Sequence, residues 1–170
     1  MKTIKTIRNC LPSMLFDKLN HMVCGKEFSW YFNDHTLDKK DSGIESRNHF
    51  MFTHYLFGNG EQLSDHFPFF EPILYTINET HKVSELLRMK LNLYTQQHKN
   101  YHHAAHTDWS PEDNIKVGIL NFVTCNGGTK IDGKIYKSRK NEMLICNNKR
   151  HNGITQTDTP IRVVLNICWK

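Results

Sequence analysis

Cysteines spaced to share a metal or a disulfide are missing from this sequence. Its five cysteines, Cys10, Cys24, Cys125, Cys146 and Cys168, are odd in number, scattered and without C-x-x-C spacing. That pattern argues against a disulfide framework and a thiolate zinc site, and it suits a reducing compartment. Long apolar runs are missing too, since none approaches the ~18 residues needed to cross a bilayer. Lys2, Lys5 and Arg8 are followed by no apolar segment of the secretory kind. The expectation is a soluble, cytoplasmic protein with no membrane partner. Basic residues form no block with interleaved aromatics, so the formal charge of +5 permits a nucleic-acid partner without favouring one. Internal repeats and low-complexity segments are also lacking. A length of 170 residues with 38% apolar content fits one compact domain spanning 1–170 with a lean core.

What is present is a change of hydrophobic period along the chain. Between Pro12 and Gly25, Leu15, Leu19 and Met22 recur at i, i+4 and i+7, which predicts an amphipathic helix over Ser13–Cys24. Closely spaced aromatic and apolar residues over 28–32 and 48–57 predict strands, the second ended by Gly58-Asn59-Gly60. The polar stretch 34–47 between them has the composition of a functional loop or lid. A second helix is predicted over 69–80, with Phe70, Ile73, Leu74 and Ile77 on one stripe and Pro68 and Pro72 near its start. From 87 to 94 the residues alternate. Leu87, Met89, Leu91 and Leu93 share a buried face, and Arg88, Lys90, Asn92 and Tyr94 share a polar one. The remainder reads as a His-rich connection over 96–105, a strand at His106, one over 115–124 and a turn at Asn126-Gly127-Gly128. Short strands follow near Thr129, Ile135 and 143–146, with turns at Asn152-Gly153 and 157–160 and a closing strand over Ile161–Trp169. This order predicts a mainly β fold, a sandwich or barrel-like double sheet with flanking α-helices.

His106-Thr107-Asp108 is the feature that points to chemistry. Side chains at i and i+2 of an extended strand project to the same side, so His106 and Asp108 can hold adjacent positions on one metal. His151, past the apolar strand at 143–146, supplies a third ligand and completes the 2-His-1-carboxylate set that binds Fe(II) and leaves positions for an oxidant and a co-substrate. The bland alternative is a pair of exposed polar residues at a strand end. Arg162 opens the closing strand and shares a face with Val164, Asn166 and Cys168; a charge on an inward face is costly unless an anion meets it. Its planar fork suits the distal carboxylate of a dicarboxylic co-substrate, the alternative being an ordinary Asp or Glu partner across the sheet.

Val164 is placed to pack on that co-substrate's methylenes or simply to fill the core. Asn92, Tyr94 and Asn121, which interrupts the apolar run 119–123, are candidates to donate hydrogen bonds to its oxygens, unless neighbouring backbone satisfies them. Trp109 either lines the substrate entrance or packs. His98, His102 and His103 beside His106 offer a zinc alternative, although no H-E-x-x-H pattern accompanies them.

Taken in order, Arg88-Met89-Lys90-Leu91-Asn92-Leu93-Tyr94, His106-Thr107-Asp108-Trp109, Asn126-Gly127-Gly128-Thr129, His151-Asn152-Gly153 and Arg162-Val163-Val164-Leu165-Asn166 resemble the prolyl 4-hydroxylase-like 2-oxoglutarate and Fe(II)-dependent oxygenases, especially small versions carried by marine phages. The resemblance covers the second half of the chain and, more loosely, the first. It implies a double-stranded β-helix, the cupin-like jelly roll, with its core over about 87–170 and helical and strand support over 1–86. It further implies that His106, Asp108 and His151 are the iron ligands, that Arg162 anchors 2-oxoglutarate, and that Asn92, Tyr94 and Asn121 help hold it. The sequence departs from relatives at Ile119, where tyrosine is frequent. The implied activity is hydroxylation with O2 as co-substrate and ascorbate as a reductant, acting first of all on a prolyl residue of a peptide or protein. A small metabolite or nucleobase is the alternative substrate, and a non-catalytic metal-binding jelly-roll module the alternative function. For a phage protein, the compartment is the host cytoplasm.

Overall fold

Residues 4–36, 49–110 and 113–170 are described in the computed structural model of this chain. The lid expected over 34–47 lies mostly outside them. The strands are β1 (Lys5–Arg8), β2 (Tyr31–Asn33), β3 (Met51–Gly58), β4 (Glu61–Gln62), β5 (Leu86–Thr95), β6 (Lys116–Asn121), β7 (Gly128–Ile131), β8 (Lys134–Lys137), β9 (Glu142–Asn147), β10 (His151–Ile154) and β11 (Ile161–Trp169). The major sheet runs β1-β9-β6-β11-β5-β3-β2 with β4 against β3, and the minor sheet runs β10-β7-β8. The described helices are α1 (Ser13–Cys24), α2 (Phe67–Phe70) and α3 (Pro72–Asn78). None of them is long and apolar enough to cross a membrane.

The period of two in β5 and β11 divides the protein into two cores. Met89, Leu91 and Leu93 of β5 and Val163, Leu165 and Ile167 of β11 point outward, where Phe16, Leu19 and Val23 of α1 and Phe70, Ile73 and Ile77 of the α2–α3 pair cover them. The residues between them point inward. Tyr94, Val164 and Cys168 pack there with Val117 and Ile119 of β6 and Ile131 of the minor sheet. The mainly β architecture with flanking helices is therefore the one expected, and the first half of the chain contributes strands as well as helices to the major sheet.

Several local expectations shift. The buried stripe of α1 is Phe16, Leu19 and Val23, with Leu15 and Met22 on its margins. The helix expected over 69–80 is two short helices, because Pro72 has no N–H to bond to the carbonyl a turn earlier. Leu87 leaves the buried face of β5, which Leu86 joins instead, because the pairing with β11 slips between Cys168 and Trp169. His106 belongs to no strand of its own and makes a single antiparallel bridge to His151. Asn152-Gly153 is not a turn but the middle of β10. Its glycine makes room for the site, since a Cβ there would stand 3.1 Å from the Tyr94 hydroxyl and 3.3 Å from the His103 ring.

An unforeseen tie fixes the entry to α1. The Asn141 amide accepts from the Leu11 N–H at 3.0 Å and donates to the Leu11 carbonyl at 2.9 Å, pinning that segment to the turn before β9. Leu91 is fully buried between β5 and the helices. Leu91→Ala is expected to lower unfolding free energy by about 2–5 kcal/mol in urea titrations, whereas Tyr75→Ala, at a position 68% exposed, is expected to change it by about 0.5 kcal/mol or less.

Candidate metal centre

Backbone pairing brings the two distant histidines together. The His106 N–H donates to the His151 carbonyl at 2.9 Å and the His151 N–H donates back at 2.8 Å, so the rings stand 4.6 Å apart between centroids. β10 is itself held in register by β7, with His151 opposite Ile131. Asp108, two residues after His106, turns to the same side, and its Oδ2 lies 3.4 Å from His151 Nε2. One ligand atom from each of the three residues lies within 4.8 Å of the others. His151 Nδ1 donates to the Lys149 carbonyl at 2.8 Å, and His106 Nδ1 faces the Ala104 carbonyl at 3.4 Å. Those carbonyls set the tautomer that leaves each Nε2 lone pair free for a cation.

Charge tuning favours the metal-binding protonation states. Burial and the neighbouring His151 push His106 down to about 4, so its imidazole is neutral at pH 7. Burial works to raise Asp108, but Arg88, His151 and His106 outweigh it and hold the carboxyl below its ordinary value. Arg88 donates to Asp108 Oδ1, leaving Oδ2 buried and without a hydrogen-bond partner. A carboxylate oxygen orphaned beside two imidazole nitrogens is a donor set suited to a divalent transition metal.

The same cavity holds the predicted anchor. Arg162 is 1% exposed, its Nη2 donates to Thr129 Oγ1 at 3.2 Å, and its Nε and Nη1 have no partner. Its guanidinium carbon sits 5.3 Å from the Tyr94 ring centroid. Among the described residues no Asp or Glu pairs with it, so the ordinary cross-sheet ion pair does not form. Asn92 and Val164 also line this cavity, and Asn92 Oδ1 is buried without a partner. Tyr94, whose hydroxyl burial pushes upward in pKa, lines it as well.

Other candidates lie elsewhere. Asn121 shares the inner face, opposite Val164, but its amide donates to the Glu142 carbonyl at 3.1 Å and accepts from Ser138 Oγ at 2.9 Å. It does not line the cavity, and the co-substrate contact expected of it is not made available. Ile119 does line the cavity. Trp109 is covered by the Arg88 guanidinium at 4.9 Å and borders a separate surface groove. The zinc alternative also fails, because His98 bonds Tyr101 and His103 bonds His49, and among the described residues only His106, Asp108 and His151 gather as a metal set. Thr129 and Arg88 belong to the site without having been singled out for it, and His103, considered only as a zinc ligand, lines the same cavity. Alternation in β5 already placed Arg88 beside Asn92 and Tyr94, whereas nothing local marked Thr129.

The sequence matches no protein-family model and no curated protein. Solved structures do match. A 2OG-Fe(II) oxygenase family oxidoreductase from Burkholderia pseudomallei is similar with a TM-score of 0.67 at 9% identity, over 98% of this chain and 84% of that one. HygX from Streptomyces hygroscopicus, with nickel and 2-oxoglutarate bound, is similar with a TM-score of 0.62 at 9% identity, over 99% and 82%. A Pseudomonas putida prolyl-4-hydroxylase is similar with a TM-score of 0.60 at 11% identity, over 99% and 92%. The fold is the oxygenase jelly roll.

The histidines of this cavity also set its acid stability. Burial, then His49 and Arg162, push His103 from 6.5 down to about 3. The unfolded chain therefore takes up a proton first as pH falls. Stability is fully present above about pH 6.5 and drains away toward about pH 3, with a slope of at most about 1.4 kcal/mol per pH unit from this one group. Urea titrations between pH 4 and 7 on metal-free protein are expected to show that loss, and His103→Gln is expected to reduce it, leaving the share that His106 contributes over the same range.

Proposed function

We propose that this protein is a 2-oxoglutarate- and Fe(II)-dependent dioxygenase. The observation that carries the reading is the fully buried Arg162, with two guanidinium nitrogens unsatisfied, facing the cavity that also holds His106, Asp108 and His151. A buried unpaired cation is costly, and a dicarboxylate is the chemistry that offsets the cost. His106, Asp108 and His151 would hold Fe(II), with Arg162 and Thr129 receiving the far carboxylate of 2-oxoglutarate. Asn92, Tyr94 and Val164 would border its chain. When bound, iron, 2-oxoglutarate and O2 supply the oxidising chemistry, with succinate and CO2 as co-products and ascorbate as a reductant.

The chain's own part is placement. The carbonyls of Lys149 and Ala104 orient the two imidazoles, and Arg88 fixes one oxygen of Asp108 so that the other faces inward. Because Asp108 fills the carboxylate position, no protein ligand is missing for a halide to replace, which favours hydroxylation over halogenation. A prolyl residue of a peptide or protein is the first substrate to try, in keeping with the likeness to a prolyl-4-hydroxylase, and small metabolites come next.

Succinate formation from 2-oxoglutarate under Fe(II), ascorbate and O2, without added substrate, tests the reading. Slow turnover is expected in the parent and none above background in Asp108→Ala. Arg162→Met is expected to raise the KM for 2-oxoglutarate about 10- to 100-fold, the loss of roughly 1.5–3 kcal/mol of charge-assisted hydrogen bonding. A parent that neither binds nor turns over 2-oxoglutarate would overturn it.

A further inference from the structure

A second cation faces this cavity and has no task in the reading above. Lys90 lies on the inward face of β5, two inward positions from Tyr94, and lines the cavity together with Asn166 of β11. The two residues are direct cross-strand partners, as Tyr94 and Arg162 are farther along the same ladder. Directly opposed side chains on one face of an antiparallel pair stand about 4.5–5.5 Å apart at Cβ, close enough to converge on one group.

Their donors are free. Asn166 is 6% exposed, and its Oδ1 accepts from Arg88 Nη2 at 3.0 Å and from the Cys168 thiol. A guanidinium can only donate, so Arg88 fixes which end of the Asn166 amide is oxygen and leaves the NH2 to the cavity. That NH2 donates to nothing among the described residues. Lys90 likewise makes no hydrogen bond or ion pair among them, and its ammonium only lies 5.3 Å from the Tyr55 ring centroid. Asp108, whose Oδ1 accepts from Arg88, makes no hydrogen bond or ion pair with Lys90. Burial and the Arg88 charge push Lys90 down to about 8, against the opposing pull of Asp108.

We propose that Lys90 and Asn166 form a second anion subsite in the metal cavity, distinct from Arg162, which receives a carboxylate or phosphate carried by the substrate. This rests on the oxygenase reading and narrows it to anionic substrates, whose acid group is held beside the metal while Arg162 holds the co-substrate. It would place the hydroxylated carbon within a few bonds of that acid group.

The probes are acetate and inorganic phosphate, titrated separately into protein loaded with Zn(II) and 2-oxoglutarate and followed by the backbone amide NMR signals of β5 and β11. One saturable anion is expected, perturbing the signals around Lys90 and Asn166. Lys90→Met is expected to weaken it at least tenfold and Lys90→Arg less than threefold, while calorimetry shows 2-oxoglutarate affinity changing less than twofold in Lys90→Met. Tighter acetate identifies a carboxylate substrate, and tighter phosphate a phosphorylated one. The proposal is overturned by no saturable anion on the loaded parent, by equal anion affinity in Lys90→Met, or by a loss of 2-oxoglutarate affinity in that variant matching the loss of anion affinity. Failure of the Zn(II)-loaded parent to bind 2-oxoglutarate would instead sink the oxygenase reading itself.

Discussion

The antiparallel pairing of β5 with β11 is the constraint on which the rest depends. Because successive side chains of a strand point to opposite faces, one ladder both seals the outer core and arms the cavity. Val163, Leu165 and Ile167 meet the helices while Arg162, Val164 and Asn166 face inward. The inward rungs of this ladder pair Arg162 with Tyr94, Val164 with Asn92, Asn166 with Lys90 and Cys168 with Arg88. A slip of one residue would send Arg162 into the apolar layer under α1 and turn Val163 and Leu165 toward His106, Asp108 and His151. The burial of the outer face thus holds the chemistry in register. The one irregularity, between Cys168 and Trp169, falls beyond the last functional rung and leaves the ladder over the cavity unbroken.

Much of this was legible in the sequence because periodicity is a local signal. The alternation over 87–94 and 161–169 put Arg88, Lys90, Asn92, Tyr94 and Arg162 on inward faces, and the H-x-D spacing put His106 and Asp108 on one side of an extended segment. What was not legible depends on contacts between distant segments. Asn121 stands on the inner face as its position suggests, but Ser138 and the Glu142 carbonyl claim its amide, and nothing near Asn121 announces either. Gly153 looked like a turn residue because glycine usually is one. Here its missing side chain leaves space for Tyr94 and His103 inside a strand. Pro72 divides a helix that an apolar stripe alone would carry through.

The metal set is closed by backbone, which separates its geometry from its charges. Reciprocal hydrogen bonds between His106 and His151 fix where the rings stand without using either Nε2, so the pairing does not compete with a cation for its ligands. Side-chain contacts could not achieve the same separation. A histidine held by a carboxylate through Nε2 would have to give up that bond to bind metal, and the cost would appear in metal affinity.

Arg88 shows how charge is apportioned once that frame is set. It donates to Asp108, to Asn166 and toward Cys168, and lies over Trp109. Its effects on the two sides of the cavity are opposite. Toward Asp108 it stabilises the ionised carboxyl and occupies one oxygen, leaving a single well-placed donor for the metal. Toward Lys90 it adds a like charge, which a burial-weakened ammonium must bear until an anion arrives. Three cationic side chains, Arg88, Lys90 and Arg162, thus stand around a single carboxylate, Asp108, an imbalance that costs stability and that a bound anion would offset. The cavity is for that reason least at ease when empty, and the same side chains that strain it define what it will accept.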